Sequence, residues 1–377
     1  MKINNKILLR VILTVLLLAG AGIFLYYYNN IDKPTLVNTN GRIFAKASVL
    51  EILQDNVQEN GARIGDQIVL LKLEGADNKG QILQANSPNG LLFGTVCHPG
   101  MKVITISSKV GSLYVHTVYN IDRSMPIYIF LSIFLVLLCL VGGPKGVKSA
   151  IALIFSFICF IFLFFPMILR GTAPVIAAII TSTLVLTTTI CLINGFTIKA
   201  LAAILATVGG ILISAFSALA FGHFTVLSGY NVSNIEALMF VGQNTLIDVG
   251  QILFAGILFA CLGAIMDIAM DVSSAVHELH INNSQMAAKE LFHCGMNVGR
   301  DVMGTMSATL ILAFFGGSLG IWVMDYVYDL PYLQLINSNS IGIEIMQSVA
   351  GSFGIILTVP LSAAFSAWLP FYFNKGK

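Results

Sequence analysis

Charge is scarce in this sequence. Lys, Arg, Asp and Glu together supply 10% of its 377 residues, against roughly 25% in an ordinary soluble domain. That scarcity excludes a surface able to hold so apolar a chain in water, because 56% of the residues are hydrophobic and the mean hydropathy is +0.86. The net charge of +2 leaves no basic footprint for nucleic acid. Also missing are a Walker A loop, a GxSxG elbow and a dinucleotide fingerprint, which excludes ATP-driven pumping by this chain alone and gives no cofactor to expect. The six cysteines form no CxxC pair. Cys139, Cys159, Cys191, Cys261 and Cys294 fall in or beside apolar stretches and read as small apolar side chains. Only Cys97 lies in a polar region, so no disulfide framework emerges.

What the chain has is long apolar runs. Spanning a bilayer takes about 20 predominantly apolar residues, and eight candidates qualify: Ile7–Tyr28, Pro126–Val141, Ser149–Leu169, Pro174–Ile193, Ala200–Phe221, Val249–Met270, Gly304–Met324 and Gln347–Phe373. The last holds Pro360, which removes a backbone donor and predicts a kink. Lys2, Lys6 and Arg10 precede the first run, and Lys145, Lys148, Lys199 and "NKGK" fall on the same side by alternation. The positive-inside rule therefore predicts both termini in the cytoplasm, with Arg170 as the one exception among short outside loops. The "LAGAG" in the first run resembles a signal-peptidase site, but the apolar stretch continues through "IFLYYY" and favours an uncleaved anchor.

Between the first two runs, residues 29–124 form the only sizeable polar segment. Short β-rich stretches, "RIFAKASVLEIL", "DQIVLLKLEG", "KGQILQA", "MKVITISS" and "SLYVHTVYN", are separated by turn formers such as "GADNKG" and "NSPNG". Five strands in under about 100 residues predict a small barrel or sandwich of OB-like kind. In "KVITISS", Val103, Ile104 and Ile106 compete with Thr105 and Ser107 for the inner face. The expected fold is thus an all-α polytopic membrane bundle with a small extracytoplasmic β-rich domain: an anchor over 1–28, the β domain over 29–124 and a seven-helix membrane domain over 125–377.

Polar side chains inside such runs are the informative ones, since each charge at mid-helix costs at least ~2.5 kcal/mol unless satisfied. The sixth run carries Asn244, Asp248 and Gln251 at one end and Asp267, Asp271 and Ser274 at the other. Steps of three and four put each trio on one helix face. Entering the seventh run, Asn297, Asp301, Thr305 and Thr309 recur every four residues, with Arg300, Gly304 and Ser307 beside them. Because one short cytoplasmic linker joins these runs, Arg300 is expected to pair with Asp267 or Asp271. That linker, "DVSSAVHELHINNSQMAAKELFHC", reads as an amphipathic helix on the inner leaflet. Its His277 and His280 share a face, but "HELH" lacks the HExxH spacing and no metal is assigned. Small residues on the fifth run (Ala203, Thr207, Gly210, Ser214, Ser217), and Gly316, Gly317, Gly320, Gly351 and Gly354 further on, predict close helix packing.

The stretches "CLGAIMDIAMDVSSAVHEL", "GMNVGRDVMGTMSATLILAFFGGSL" and "EIMQSVAGSFGIILTVPLSA" resemble the YibE/F family of bacterial membrane proteins. The middle one carries Gly295, Asn297, Gly299, Arg300, Asp301, Gly304 and Thr305 together. The resemblance implies a multi-pass protein of the cytoplasmic membrane. It also implies a hetero-oligomer with a related family member; a homo-oligomer is the other expectation. It carries no substrate or reaction.

The reading that follows is a transporter or channel-like permease for a cation or a proton-coupled small solute. Asp248, Gln251, Asp267, Asp271, Asn297, Arg300, Asp301 and Thr305 would line its polar path. The alternative is an accessory or assembly subunit that docks an envelope partner through the outside domain. An intramembrane enzyme is disfavoured because no nucleophile–base pair stands out.

Overall fold

The computed structural model describes residues 22–31, 33–37, 41–59, 61, 63–74, 80–88, 95–110, 113–232 and 235–374. Of the first expected span, residues 7–21 lie outside the described residues, while 22–29 form a helix, α1. The chain divides into two compact units, Thr35–Leu137 and a second one made of Met1–Pro34 with Leu138–Lys377.

All five expected strands form: β1 (Arg42–Gln54), β2 (Asp66–Leu73), β3 (Ile82–Pro88), β4 (Lys102–Val110) and β5 (Leu113–Ile121). They close into a barrel in the order β1-β2-β3-β5-β4, antiparallel except where Asn86 on β3 meets Thr117 on β5. The long β1 pairs with both β2 and β4, and register shifts between Val49 and Glu51 and between Ile52 and Gln54 bend it around the barrel. Alternation puts Ala47, Val49, Val69, Leu71, Leu83, Ala85, Val103 and Val118 inside. On β4 the hydroxyl side wins: Thr105 and Ser107 are buried, while Ile104 and Ile106 are only half-buried. The hydroxyls are tolerated because Thr105 Oγ1 donates to the Ala45 carbonyl and Ser107 Oγ bonds His116 Nδ1 at 2.7 Å.

Cys97, which stands in polar sequence, is also buried here, and its amide donates to Gln67 Oε1 at 2.7 Å. Gln67 in turn donates to Asp55, which Arg63 meets at 2.6 Å.

After β5, Asp122 accepts from the Ser124 hydroxyl and amide, and Lys46 lies 2.9 Å away. These bonds, Ser124's first, hold its carboxyl down at about 2, below the ~3.9 of an unfolded Asp. A carboxylate with a depressed folded-state pKa contributes stability above the unfolded value and loses it as pH falls through the folded one. Acid titration of a fragment covering 29–124, followed by circular dichroism, should therefore show destabilisation setting in below pH ~4 and running towards pH ~2. Asp122→Asn should flatten that dependence.

Six helices among the described residues are long and apolar enough to cross a membrane: Ser124–Leu169, Pro174–Asn194, Ile198–Thr225, Val249–Asn282, Ala288–Gly317 and Asn339–Phe373. The chain is a membrane protein. The first of these merges the second and third expected spans. It contains α2 (Ser124–Cys159), a π-helical turn Phe160–Phe164 and α3 (Phe165–Leu169). Within α2, Gly143 leaves helical geometry at φ 54°, ψ −137°. The turn there is sharp enough that a side chain on Gly146 would strike the Leu138 carbonyl.

The remaining helices are α4 (Pro174–Asn194), α5 (Ile198–Thr225), α6 (Ile235–Asn244), α7 (Ile252–Asn282), α8 (Ala288–Gly317), α9 (Leu319–Val327), α10 (Tyr332–Ile336) and α11 (Asn339–Asn374). α11 continues through Pro360 and Pro370 as one helix. Helices α5, α7, α8 and α11 pack together as the core. Thr207 and Ser214 on α5 and Thr358 and Ser362 on α11 are fully buried, so small residues do serve close packing here. Ser362 bonds both Ser273 (3.0 Å) and the Ala269 carbonyl (2.9 Å), and Ser366 donates to Ser273 (2.9 Å), tying α7 to α11 by hydrogen bonds suited to an apolar setting. Gly316, Gly317 and Gly320 differ: a side chain there would meet nothing within 4 Å.

The helices that carry the seventh and eighth expected spans begin earlier than the apolar runs. α8 starts at Ala288, where the Glu290 carboxylate accepts from the Ala287 amide at 3.1 Å, a first-turn cap. Consequently the segment expected as a separate interfacial helix does not exist as one. α7 runs on to Asn282 and only a short turn precedes α8. The seventh span also ends earlier, at Gly317, and α9 is a separate short helix.

Candidate functional site

A carboxylate standing in an apolar helix needs a polar or open setting, and Asp267 has one. It sits on α7 fifteen residues beyond Ile252, about 22 Å along the axis at ~1.5 Å per residue. It opens into a groove of about 420 Å³ formed with α2 and α4, where Ser149, Ser156 and Thr189 join it among apolar walls. Phe160 and Phe259 line the groove as well. Phe259 lies edge-on to Phe160 and to Phe164, with ring centroids 4.8 Å apart in each case. Phe160 and Phe164 bound the π-helical turn, an irregularity that widens a helix locally and recurs at functional positions.

Asp271 follows one turn later on the same exposed stripe of α7, which also carries Gly256, Ala260, Gly263 and Glu278. The expected pairing of Arg300 with Asp267 or Asp271 is not formed. α8 packs against the opposite side of α7: a side chain on Gly295 would meet Val276 Cγ2 at 2.8 Å, and Val276 lies nine residues, two and a half turns, from Asp267. Among the described residues no ion pair involves Arg300; its guanidinium reaches only Asn297 Oδ1 at 3.5 Å. Asn297, Arg300, Asp301 and Thr305 are all exposed on α8. With α8 beginning at Ala288, they lie within the helix and not at its mouth.

At the other end of α7 the expected trio divides. Gln251 donates to Asp248 at 2.8 Å, but Asp248 has extended backbone ahead of a 3-10 turn. Asn244 belongs to the end of α6, where it caps its own Phe240 carbonyl. No common helix face holds all three. His277 and His280 ride on α7, and among the described residues no group of three or more His, Cys, Asp or Glu could hold a metal.

Sequence reading missed Glu344. It precedes the apolar run that begins at Gln347, yet it lies in the second turn of α11, where Ser318 donates to its Oε1. Its other oxygen is buried with no hydrogen-bond partner among the described residues, and so is the Trp322 indole N–H. The signal was present: "NSNS" ahead of an apolar periodic run is a helix start, and Ser338 Oγ accepts from the Ile341 amide at 3.2 Å.

The membrane helices that carry this site also carry the family signature. A sequence profile described as YibE/F-like protein matches residues 130–371. The chain belongs to the YibE/F-like family. The match runs from α2 to α11 and so includes the Asp267 groove, the α8 stripe and Glu344. No curated protein and no solved structure shows a significant match to the chain.

Proposed function

We propose that this YibE/F-like protein is a permease of the cell membrane that moves a cation or a proton-coupled small solute, with Asp267 as the group the solute meets inside the bilayer. The observation that carries this reading is the groove. A carboxylate within an apolar span, flanked by Ser149, Ser156 and Thr189 and with Phe160 packed on Phe259 in the same lining, combines a cation ligand with apolar walls. Eight spans, both termini in the cytoplasm and the barrel outside complete the reading. Counting a span on each side of the Gly143 break and one through α1 supports the number eight, and the lysines flanking the runs support the orientation. Residues 145–149, 193–199 and 267–271 then share the cytoplasmic side.

Purified protein in sealed liposomes, with a cation or proton gradient and a matching fluorescent dye, tests the proposal. Flux above that of empty liposomes is the expected result. The alternative is an accessory subunit that docks an envelope partner through the barrel. It is favoured by the exposed apolar side chains on the barrel's outer face, among them Phe44, Leu113, Tyr114 and Tyr119. A partner that co-purifies in stoichiometric amount, together with silent liposomes, would decide for it.

A further inference from the structure

α8 is the least apolar of the six spans, and only 11% of its best apolar window is buried inside the chain. That combination is costly in lipid, which offers no partner to a charged or amide side chain. The inner face of α8 is accounted for by α7 and α11, through Leu291, Gly295, Gly299 and Leu310. Its outer face is left exposed by the described residues. α1, the one described part of the first span, is held elsewhere: Asn29 donates to the Phe162 carbonyl and Arg170 stacks on Tyr28.

The arrangement of the outer face is specific. With about 100° per residue, Gly304 and Ala308 fall within about 20° of Asn297, along the centre of the exposed side. Arg300 lies about 60° to one side of that centre and Asp301 about 40° to the other. Gly304 has nothing within 4 Å, and Gly304 with Ala308 makes a small-xxx-small pair that lets helices approach closely. Leu312 and Phe315 continue the exposed face in apolar form.

We propose that this face is an interface between two copies of the chain, with the α8 helices parallel about a two-fold axis along the membrane normal. Two copies in one membrane share their orientation, so such an axis brings the Arg300 flank of each against the Asp301 flank of the other. The surface is therefore self-complementary in charge: two symmetric Arg300–Asp301 pairs form, with Gly304 and Ala308 at the contact one and two turns further along the helices. An antiparallel pairing would break this match and is excluded by topology. The inference is independent of the transport reading, since it concerns how α8 is covered and not what the groove conducts.

Cross-linking in native membranes tests it. Ala308→Cys, treated with an oxidant or a short thiol cross-linker, should give a dimer-sized band beyond that of the chain with its own cysteines only. Phe216→Cys, on the exposed side of α5, should not. In the Ala308→Cys background, Arg300→Asp or Asp301→Arg alone sets like charges against each other and should lower cross-linking at least about tenfold. Co-expression of these two variants under different tags restores opposite charges at both contacts and should recover a mixed dimer. Recovery also shows that neither variant had simply failed to fold. No Ala308→Cys dimer, single reversals that cross-link like the parent, no recovery on co-expression, or a cross-link only to a different protein would each overturn the proposal.

Discussion

Gly354→Leu is expected to leave no monodisperse membrane domain in detergent, whereas Gly256→Leu should be recovered with near-parental thermal stability. In the interior of a helix, replacing Gly by a residue with a side chain gains up to about 1 kcal/mol from backbone entropy, so propensity alone predicts that both changes help. Space decides otherwise. A Cβ on Gly354 would stand 2.9 Å from both the Gly210 carbonyl and Ile265 Cδ1, and would also strike Ser214 Oγ. The carbonyl is backbone and cannot swing aside, so α5 and α11 must separate. They are held there by the buried faces of Thr207, Ser214 and Thr358, and overpacking a dense core costs about 1–3 kcal/mol even when side chains alone have to move. Gly256 lies on the open side of α7 with nothing within 4 Å, where surface changes stay within about 0.5 kcal/mol. Fluorescence-detected size exclusion and thermal unfolding of the two variants would check the contrast. A well-behaved Gly354→Leu protein would show that the helices do not meet at this point.

How much of this was legible beforehand follows from which signals are local. The spans could be read because apolar runs report burial in lipid directly, and the five strands because turn residues punctuate them. Helix ends were less legible. α8 starts at Ala288 in a polar stretch whose good helix formers, "AAKEL", and Glu290 cap carry no hydropathy signal, so Arg300 and Asp301 stand well inside the helix and not at its start. The β4 face was ambiguous because Thr105 and Ser107 are inside only by virtue of the Ala45 carbonyl and His116 on neighbouring strands. Proximity of Arg300 to Asp267 was inferred from a short linker, which fixes that α7 and α8 are neighbours but not which faces meet. The stripe of Asp267 and the Val276 side that receives α8 are half a turn out of phase, and only tertiary packing reveals it. Asp267 itself stood out from sequence alone because a carboxylate in an apolar run is expensive anywhere.

That cost also fixes what its removal should do. Asp267→Asn keeps the size and the hydrogen-bonding capacity of the side chain while deleting the charge, so it should be neutral or mildly stabilising for the fold. Among the described residues no cation pairs with Asp267, and no partner is left orphaned by the change. If the groove is the solute path, the same change should reduce cation or proton flux in liposomes at least about tenfold. An amide offers a cation neither the charge nor the proton site of a carboxylate, and losing one charge-assisted contact is worth about 1.5–3 kcal/mol. Asp271→Asn, one turn further along and outside the lining of the groove, should have a smaller effect, and Asp267→Glu should retain part of the flux because the charge survives. The informative pattern is therefore unchanged melting across the three variants with flux ordered from Asp271→Asn, through Asp267→Glu, down to Asp267→Asn. Equal flux in all three at unchanged stability would remove Asp267 from the path. A large fall in melting temperature for Asp267→Asn would instead mark the carboxylate as a structural anchor held by a partner outside the described residues.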